Sequence, residues 1–414
     1  MIRRLFGSRS TLGLAWLFLL FVSAFAYAMF QGGFVSWFLF YSYVPLFLYS
    51  LAIAFYSLRD FQITRRIEKH ELNAGEPLTV TIDIERRFPL PLFYLVVEDH
   101  APENMLKRHR TLRRESTKAL LALGFGRRAS VAYTIDDMPR GEYRLNAVTI
   151  KTGDIFGFVQ RTKTFQIEQS VLVYPKIDPM MSWLPPDHAF GGRRRSHQLL
   201  EYDLTAISSV REYIPGDRLS WLDWKATART NQLVTKQFEN PVNQDIIIVL
   251  DRTADREDES GTRFEIAVAL SASLADKALR IGSAVGFLSL GRDAIWIALR
   301  HQAEARWAIL HHLASCEPDG GADGFYGFDK YANQFYYQST VIFVTTRVTE
   351  RMVLIFYDLA NRGLAIELVL VADVLDQSVF GRVKQLEAMG VVVHVDRGGR
   401  LETLDRAGDS LATS

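Results

Sequence analysis

Arg211, Asp217, Asp223, Lys225 and Arg229 crowd a short segment that also holds Trp221 and Trp224. Charges of both signs beside large aromatics can do one of two things. They can lock into a hydrogen-bonded ion-pair network that clasps two domains, or they can present a ligand or partner surface together with Tyr213 and Gly216. Other chemistry is sparse. No His-Glu-x-x-His, Gly-x-Ser-x-Gly or Gly-x-x-x-x-Gly-Lys-Ser/Thr motif occurs in the 414 residues. The single cysteine, Cys316, excludes an internal disulfide and a cysteine-rich zinc site. His311 and His312 fall on a predicted helix, where adjacent side chains point apart, so they are read as structural or solvated rather than as a metal pair.

Local elements must hold the charged segment in place. Pro215-Gly216 predicts a turn, since proline presets φ near −65° and glycine accepts positive φ next to it, which brings Asp217 out at the exit. Ser220 and Asp223 have capping-box spacing for a short helix. Trp221, Trp224 and Ala228 then share one apolar face that is expected to pack on something.

The chain is long enough for two soluble domains and a membrane anchor. Its net charge of +1 supplies no global field for nucleic acid. Leu12 to Phe30 and Phe34 to Leu58 are uncharged apolar runs of the length needed to cross about 30 Å of hydrocarbon. Only Gln31-Gly32-Gly33 separates them, so residues 1–60 are read as a transmembrane helical hairpin, kinked at Pro45. Arg3, Arg4 and Arg9 precede the first run, and Arg59, Arg65, Arg66 and Lys69 follow the second. Both ends are therefore expected in the cytoplasm, which predicts a multi-pass protein of the cell inner membrane with its soluble domains facing the cytoplasm. The first run also resembles a signal peptide, with Ala24-Phe25-Ala26 and Ala26-Tyr27-Ala28 as cleavage sites. Cleavage there leaves the second run as anchor and the same orientation.

Residues 61–175 change to short alternating runs. Leu78, Val80, Ile82 and Ile84 form one strand face and Thr79, Thr81, Asp83 and Glu85 the other. Similar runs at 93–97, 119–125, 130–135, 143–150, 156–165 and 171–174, with Pro/Gly turns between them, predict a β-sandwich of immunoglobulin-like size. Residues 176–240 are a connection carrying the charged segment, with Arg193-Arg194-Arg195 either solvated or touching acidic groups.

Strands and helices alternate over 241–398, which predicts a doubly wound α/β sheet. Its strands are expected at 245–250, 284–290, 294–299 (an antiparallel edge), 341–345, 365–371 and 391–395. Thr262 and Glu265 have capping-box spacing for the first helix, and helices are expected again at 303–315, 350–360 and 378–389. Residues 317–338 read as a long loop or lid, and 399–414 as a poorly ordered tail. Ligands of such sheets bind beyond the carboxyl ends of the strands, which directs attention to Asp251-Arg252-Thr253-Ala254-Asp255.

Arg211-x-Tyr213-x-Pro215-Gly216-Asp217, followed by Trp224-Lys-Ala-Thr-Ala-Arg229 and a strand ending in aspartate, resembles the signature of a bacterial family of membrane-anchored proteins catalogued as domain of unknown function 58. Arg140-Gly141-Glu142-Tyr143, Asp154-Ile155-Phe156-Gly157 and Val173-Tyr174-Pro175 extend the likeness upstream. The resemblance implies a von Willebrand factor A-like fold for 241–398. Such domains carry Asp-x-Ser-x-Ser after the first strand, holding a magnesium ion whose open position accepts a partner's carboxylate. Here Asp251 and Thr253 keep an acid and a hydroxyl, Asp255 replaces a serine by another oxygen ligand, and Mg2+ or another divalent cation is chemically permitted. Thr345-Thr346-Arg347 stands where a Thr-Asp-Gly is usual, so the site is expected to be degenerate. The competing reading pairs Asp251 with Arg252, Arg347 or the arginines of the charged segment, and leaves Asp255, Glu257, Asp258 and Glu259 as a solvated acidic loop.

The function expected is a non-enzymatic interaction or adaptor protein. The resemblance implies a MoxR-type AAA+ ATPase as partner, in a chaperone-like or envelope-related system. Two rivals stand beside it: a magnesium-dependent phosphohydrolase with Asp251 as nucleophile or ligand, and a purely structural membrane scaffold.

Overall fold

The computed structural model describes residues 8–109, 111–113, 115–179, 183, 207–213, 222–230, 232–238, 245–254, 258, 261–300, 302–321, 325, 327–335, 339–372, 377–397 and 400–403. The chain divides into two compact units, Met1–Lys176 with Leu310–Cys316 and Ile177–Ile309 with Glu317–Ser414.

The first unit opens with helices α1 (Ser8–Gln31) and α2 (Phe34–Phe55), both long and apolar enough to cross a membrane. Gly32, at φ 62°, reverses the chain between them. Phe21 stacks on Phe47 with ring centroids 4.3 Å apart, and the Tyr43 hydroxyl donates to the Leu17 carbonyl. α2 continues through Pro45.

Eight strands follow: β1 (Phe61–Ile67), β2 (Glu71–Asn73), β3 (Leu78–Arg86), β4 (Leu95–Asp99), β5 (Lys118–Leu121), β6 (Arg128–Ile135), β7 (Gly141–Gly153) and β8 (Gln160–Tyr174). A short helix, α3 (Glu103–Arg108), lies between β4 and β5. The strands form two sheets, ordered β1-β3-β6 and β2-β8-β7-β4-β5, that share one hydrophobic core. Leu78, Val80, Ile82 and Ile84 are buried in that core, as their alternation predicts. The runs expected at 156–165 and 171–174 are a single strand, β8, and the chain turns sharply before it. The reason is Asp154. Its buried carboxylate accepts the backbone N–H groups of Phe156 (3.3 Å) and Val159 (2.6 Å), and Gly157 takes φ 75°.

Arg65 departs from its expected place among the membrane-flanking cations. Its side chain is fully buried, paired with both oxygens of Asp99 at 2.5 and 3.0 Å. It also donates to the carbonyls of Leu145, Ile167 and Ala147. The Tyr133 hydroxyl donates to Asp99 at 2.7 Å, and burial together with that carboxylate pushes the phenol well above its ordinary range. A buried guanidinium needs this many acceptors, because an unpaired charge there costs several kcal/mol (about 3–5).

The second unit begins with an antiparallel ribbon of β9 (Ile207–Glu212) and β10 (Val234–Phe238), with helix α4 (Trp224–Thr230) between them in sequence. The α/β part then runs β11 (Ile246–Asp251), α5 (Thr262–Arg280), β12 (Val285–Leu290), β13 (Ile295–Arg300), α6 (Gln302–Ser315), α7 (Phe328–Ala332), β14 (Thr340–Thr345), α8 (Glu350–Asn361), β15 (Ala365–Val371), α9 (Gln377–Ala388), β16 (Val392–Arg397) and β17 (Arg400–Thr403). The sheet order is β13-β12-β11-β14-β15-β16-β17, parallel throughout except at the two antiparallel edges, β13 and β17. α8 and α9 pack with Ile247, Val249 and Phe343 on one face, while α5 packs outside that cluster against the same strands. With helices on both faces, β11 and β14 are buried along their whole length, which explains their unbroken apolar sequences.

Two expectations are corrected here. Residues 317–338, expected as a long loop or lid, are irregular among the described residues except for α7, and Phe325 and Phe328 are buried against Phe343 in the core, so this part is packed and not a free lid. The tail expected from 399 contains β17, whose pairing with β16 closes that edge of the sheet.

Candidate functional site

Asp251 ends β11 and Thr345 ends β14, its parallel neighbour. The chain leaves β11 for β12 on one side and later returns to β14 on the other, so the connections diverge between these strand ends, the position at which such sheets bind ligands. Thr345 Oγ1 lies 2.9 Å from Asp251 Oδ2. On the other carboxylate oxygen, Oδ1, the Thr253 amide and hydroxyl converge at 2.9 and 2.5 Å. All three residues are buried. The Thr345 hydroxyl also sits 2.9 Å from the Arg347 carbonyl and accepts the Arg347 amide at 3.2 Å. The site is thus one carboxylate and two hydroxyls, held by the ends of two strands and the first residues beyond them.

Asp251 and Thr253 therefore come together as expected from sequence, while Asp255 lies outside the described residues. Thr345 belongs to the Thr345-Thr346-Arg347 segment read from sequence as the degenerate other half of the site, and the contact of its hydroxyl with Asp251 is what the structure adds. That β14 pairs directly with β11, which brings the two residues together, is legible only once the sheet order is known.

The alternative pairing of Asp251 with Arg252 is overturned. Arg252 turns away to Asp319 (3.0 Å) and to the Asp293 carbonyl (2.7 Å). The Arg252 carbonyl accepts the Gly320 N–H at 2.9 Å, and the Gly320 carbonyl accepts the Ala254 N–H at 3.1 Å. A Cβ on Gly320 would stand 3.0 Å from the Arg252 carbonyl oxygen and the Thr253 Cα, a tight contact that a larger residue could make only if this backbone gave way. Among the described residues, no group of three or more His, Cys, Asp or Glu side chains is placed to hold a metal.

Asp258 is also not a member of a solvated acidic loop. Its carboxylate accepts the amides of Thr262, Arg263 and Phe264 at 3.0, 2.7 and 3.3 Å, which makes it the anionic cap of α5. The cap expected from Thr262 and Glu265 gives way to it. Gly261 precedes the helix at φ 67° with no side chain to offer, and the loop brings Asp258 over the exposed amides instead.

In the charged segment, Asp217 and Gly216 lie outside the described residues, as does the Pro215-Gly216 turn. The side-chain environment of Arg211 does too, although its backbone belongs to β9. Tyr213 N–H donates to the Leu233 carbonyl at 2.9 Å, which continues the ribbon past β9. Asp223 caps α4, accepting the amides of Lys225 and Ala226 at 3.0 Å, in the role expected of Ser220. The predicted inward face is corrected for Trp224 and Ala228, while Trp221 lies outside the described residues. Trp224 is 67% exposed, Ala228 is exposed, and the buried anchor is Leu222. Lys225 and Arg229 are exposed and make no ion pair among the described residues. Helix α4 thus presents an aromatic ring and two cations to solvent.

Residues 209–397 match the family described as protein of unknown function DUF58. A Bacillus subtilis (strain 168) relative, uncharacterized protein YeaD, is 34% identical over 336 residues, which cover 81% of this chain and 82% of that one. Among solved structures, the CARDB domain of a Pyrococcus furiosus protein in complex with di-metal ions is similar over 28% of this chain and 87% of its own, at 12% identity and a TM-score of 0.19. A β-glucosidase from Listeria innocua in complex with glucose is similar over 27% of this chain and 16% of its own, at 16% identity and a TM-score of 0.16. Superpositions at these scores bear on neither fold nor function.

Proposed function

The chain belongs to the DUF58 family, and from that premise we propose that it is a membrane-anchored, non-enzymatic interaction protein that docks a partner at the strand ends around Asp251. The observation that carries this reading is the hydrogen-bonded set of Asp251, Thr253 and Thr345 at the point where the strand connections diverge. Their oxygens are hard donors. A hydroxyl that gives its proton to Asp251 keeps lone pairs for another partner, and magnesium held by a single carboxylate retains several waters, so the residues fit such an ion. Asp251, Thr253 and Thr345 would hold it, and the ion would supply a position for a carboxylate of the docked protein. Trp224, Lys225 and Arg229 form the second surface of the same unit that offers contacts to a partner.

In this reading the α/β part is von Willebrand factor A-like and the β unit immunoglobulin-like. α1 and α2 cross the cell inner membrane, and both units face the cytoplasm. Arg3, Arg4 and Arg9 before α1, with Arg59, Arg66 and Lys69 after α2, support that orientation. Family resemblance supports a MoxR-type AAA+ ATPase as the partner, in a chaperone-like or envelope-related system.

Capture from gently solubilised membranes tests the proposal. Full-length tagged protein in magnesium is expected to retain an AAA+ ATPase, and the Asp251→Ala variant or chelation to release it. Recovery of no AAA+ protein after crosslinking sinks the partner. Equal recovery by wild type and Asp251→Ala removes the strand ends as the docking site.

A further inference from the structure

The turns of the β unit that meet the N-terminal helices carry Phe88, Phe93, Phe125, Ile155 and Phe156, each more than half exposed. Large apolar side chains gathered on turns are unusual for a surface that faces only water. These turns are tied to the helices. The Tyr49 hydroxyl donates to the Pro91 carbonyl at 3.1 Å, and its ring meets Phe93 edge-on at 5.1 Å. The Tyr56 hydroxyl donates to the Phe88 carbonyl at 2.9 Å. On the turn shaped by Asp154, Ser50 Oγ lies 3.5 Å from the carboxylate. The Phe158 backbone presses on Gly13 of α1 so closely that a Cβ there would overlap its carbonyl.

The turns are also tied to one another. Buried Arg86 donates to the carbonyls of Leu90, Gly126 and Gly124 at 2.6, 2.7 and 2.7 Å, and Leu92 and Gly124 exchange backbone hydrogen bonds. Phe125 therefore belongs to the same cluster as Phe88 and Phe93.

The contacts also set a depth. Gly13 follows the first residue of one apolar span, and Tyr49 lies six residues inside the end of the other, Phe34–Phe55. At about 1.5 Å per residue, Tyr49 is about 9 Å inside that end. Apolar faces of elements that lie on a bilayer are buried about 5–10 Å into the boundary of headgroups and acyl chains, a comparable depth. Arg59, Arg87 and Arg127 are exposed and flank the helix exit, Phe88 and Phe125 in sequence, while the nearby Glu85 is paired with Arg128 at 2.7 Å. Apolar tips bordered by arginines match a bilayer surface with anionic headgroups.

We infer that the β unit docks on the lipid bilayer through these turns, with Phe88, Phe93, Phe125, Ile155 and Phe156 in the interfacial layer. The unit then sits against the membrane instead of hanging from it. This rests on α1 and α2 being membrane-spanning, and the test separates the two.

Full-length Phe125→Cys and Phe156→Cys variants in a Cys316→Ala background carry a spin label in nanodiscs containing phosphatidylglycerol. Labels at Phe25→Cys and Lys330→Cys mark bilayer interior and water. Collisions with oxygen are expected to exceed those with a water-soluble nickel chelate at 125 and 156, as at 25, with the reverse at 330. Position 25 in the interior with 125 and 156 reading as 330 does overturns the docking and leaves the anchor standing. Position 25 reading as 330 does overturns both. Should Cys316→Ala fail to fold, p-benzoylphenylalanine in place of Phe125 or Phe156 in the otherwise native chain is expected to crosslink to phosphatidylglycerol on illumination. Absence of a lipid adduct at both positions overturns the inference.

Discussion

Thr345 Oγ1 reaches Asp251 Oδ2 at 2.9 Å, joining the ends of two parallel strands at the point where the chain's connections diverge. Thr253 fills Oδ1, and the Thr345 hydroxyl offers its proton to Oδ2 and to the Arg347 carbonyl at the same distance, so the carboxylate is positioned before any ligand arrives. A carboxylate held this way is fixed in place without reorganisation, which is what a docking site for a cation or a donor group requires.

Asp251→Ala is expected to destabilise the protein by about 1–3 kcal/mol, because the Thr253 amide and the Thr345 hydroxyl lose a buried acceptor. Wild type is expected to melt at higher temperature in millimolar magnesium, and Asp251→Ala to show no such rise. Thermal denaturation of both proteins with magnesium and with chelator checks this, and a rise that survives the substitution assigns the ion elsewhere.

Asp258→Ala is expected to cost about 1 kcal/mol by uncovering three amides of α5, and Asp258→Asn to retain most of the stability. Denaturant unfolding measures it. Unchanged stability in Asp258→Ala is what a solvated acidic loop predicts and contradicts the cap.

Asp99→Ala is expected to cost about 3–5 kcal/mol, since it leaves the Arg65 guanidinium buried without its counter-charge. Replacing both, Arg65→Met with Asp99→Leu, is expected to recover much of that loss. A double-mutant cycle in urea decides, and additive losses would mean that the two side chains act independently.

Trp224→Ala is expected to leave stability within about 0.5 kcal/mol of wild type, as for other exposed positions, while reducing partner capture. A loss of several kcal/mol with unchanged capture would favour the domain-clasp reading of the charged segment.

Features written in local sequence are legible from the residues alone. The alternation of Leu78, Val80, Ile82 and Ile84, the β-branched run that forms β11 and the two uncharged spans each depend only on the period of a strand or helix and on which faces are buried. Family membership is legible too, from motifs that have physical work: Gly157 supplies the positive φ of the Asp154 turn, and Gly141 stands at φ 152° where a Cβ would crowd the Tyr143 ring. Pairing across distance is not legible. Thr345 is 94 residues from Asp251, and Arg65 is 34 from Asp99, so their meeting depends on strand order and register. The outward turn of Trp224 is hidden for a related reason. Periodicity marks a face as apolar, but only the packing of neighbouring elements decides whether anything covers it.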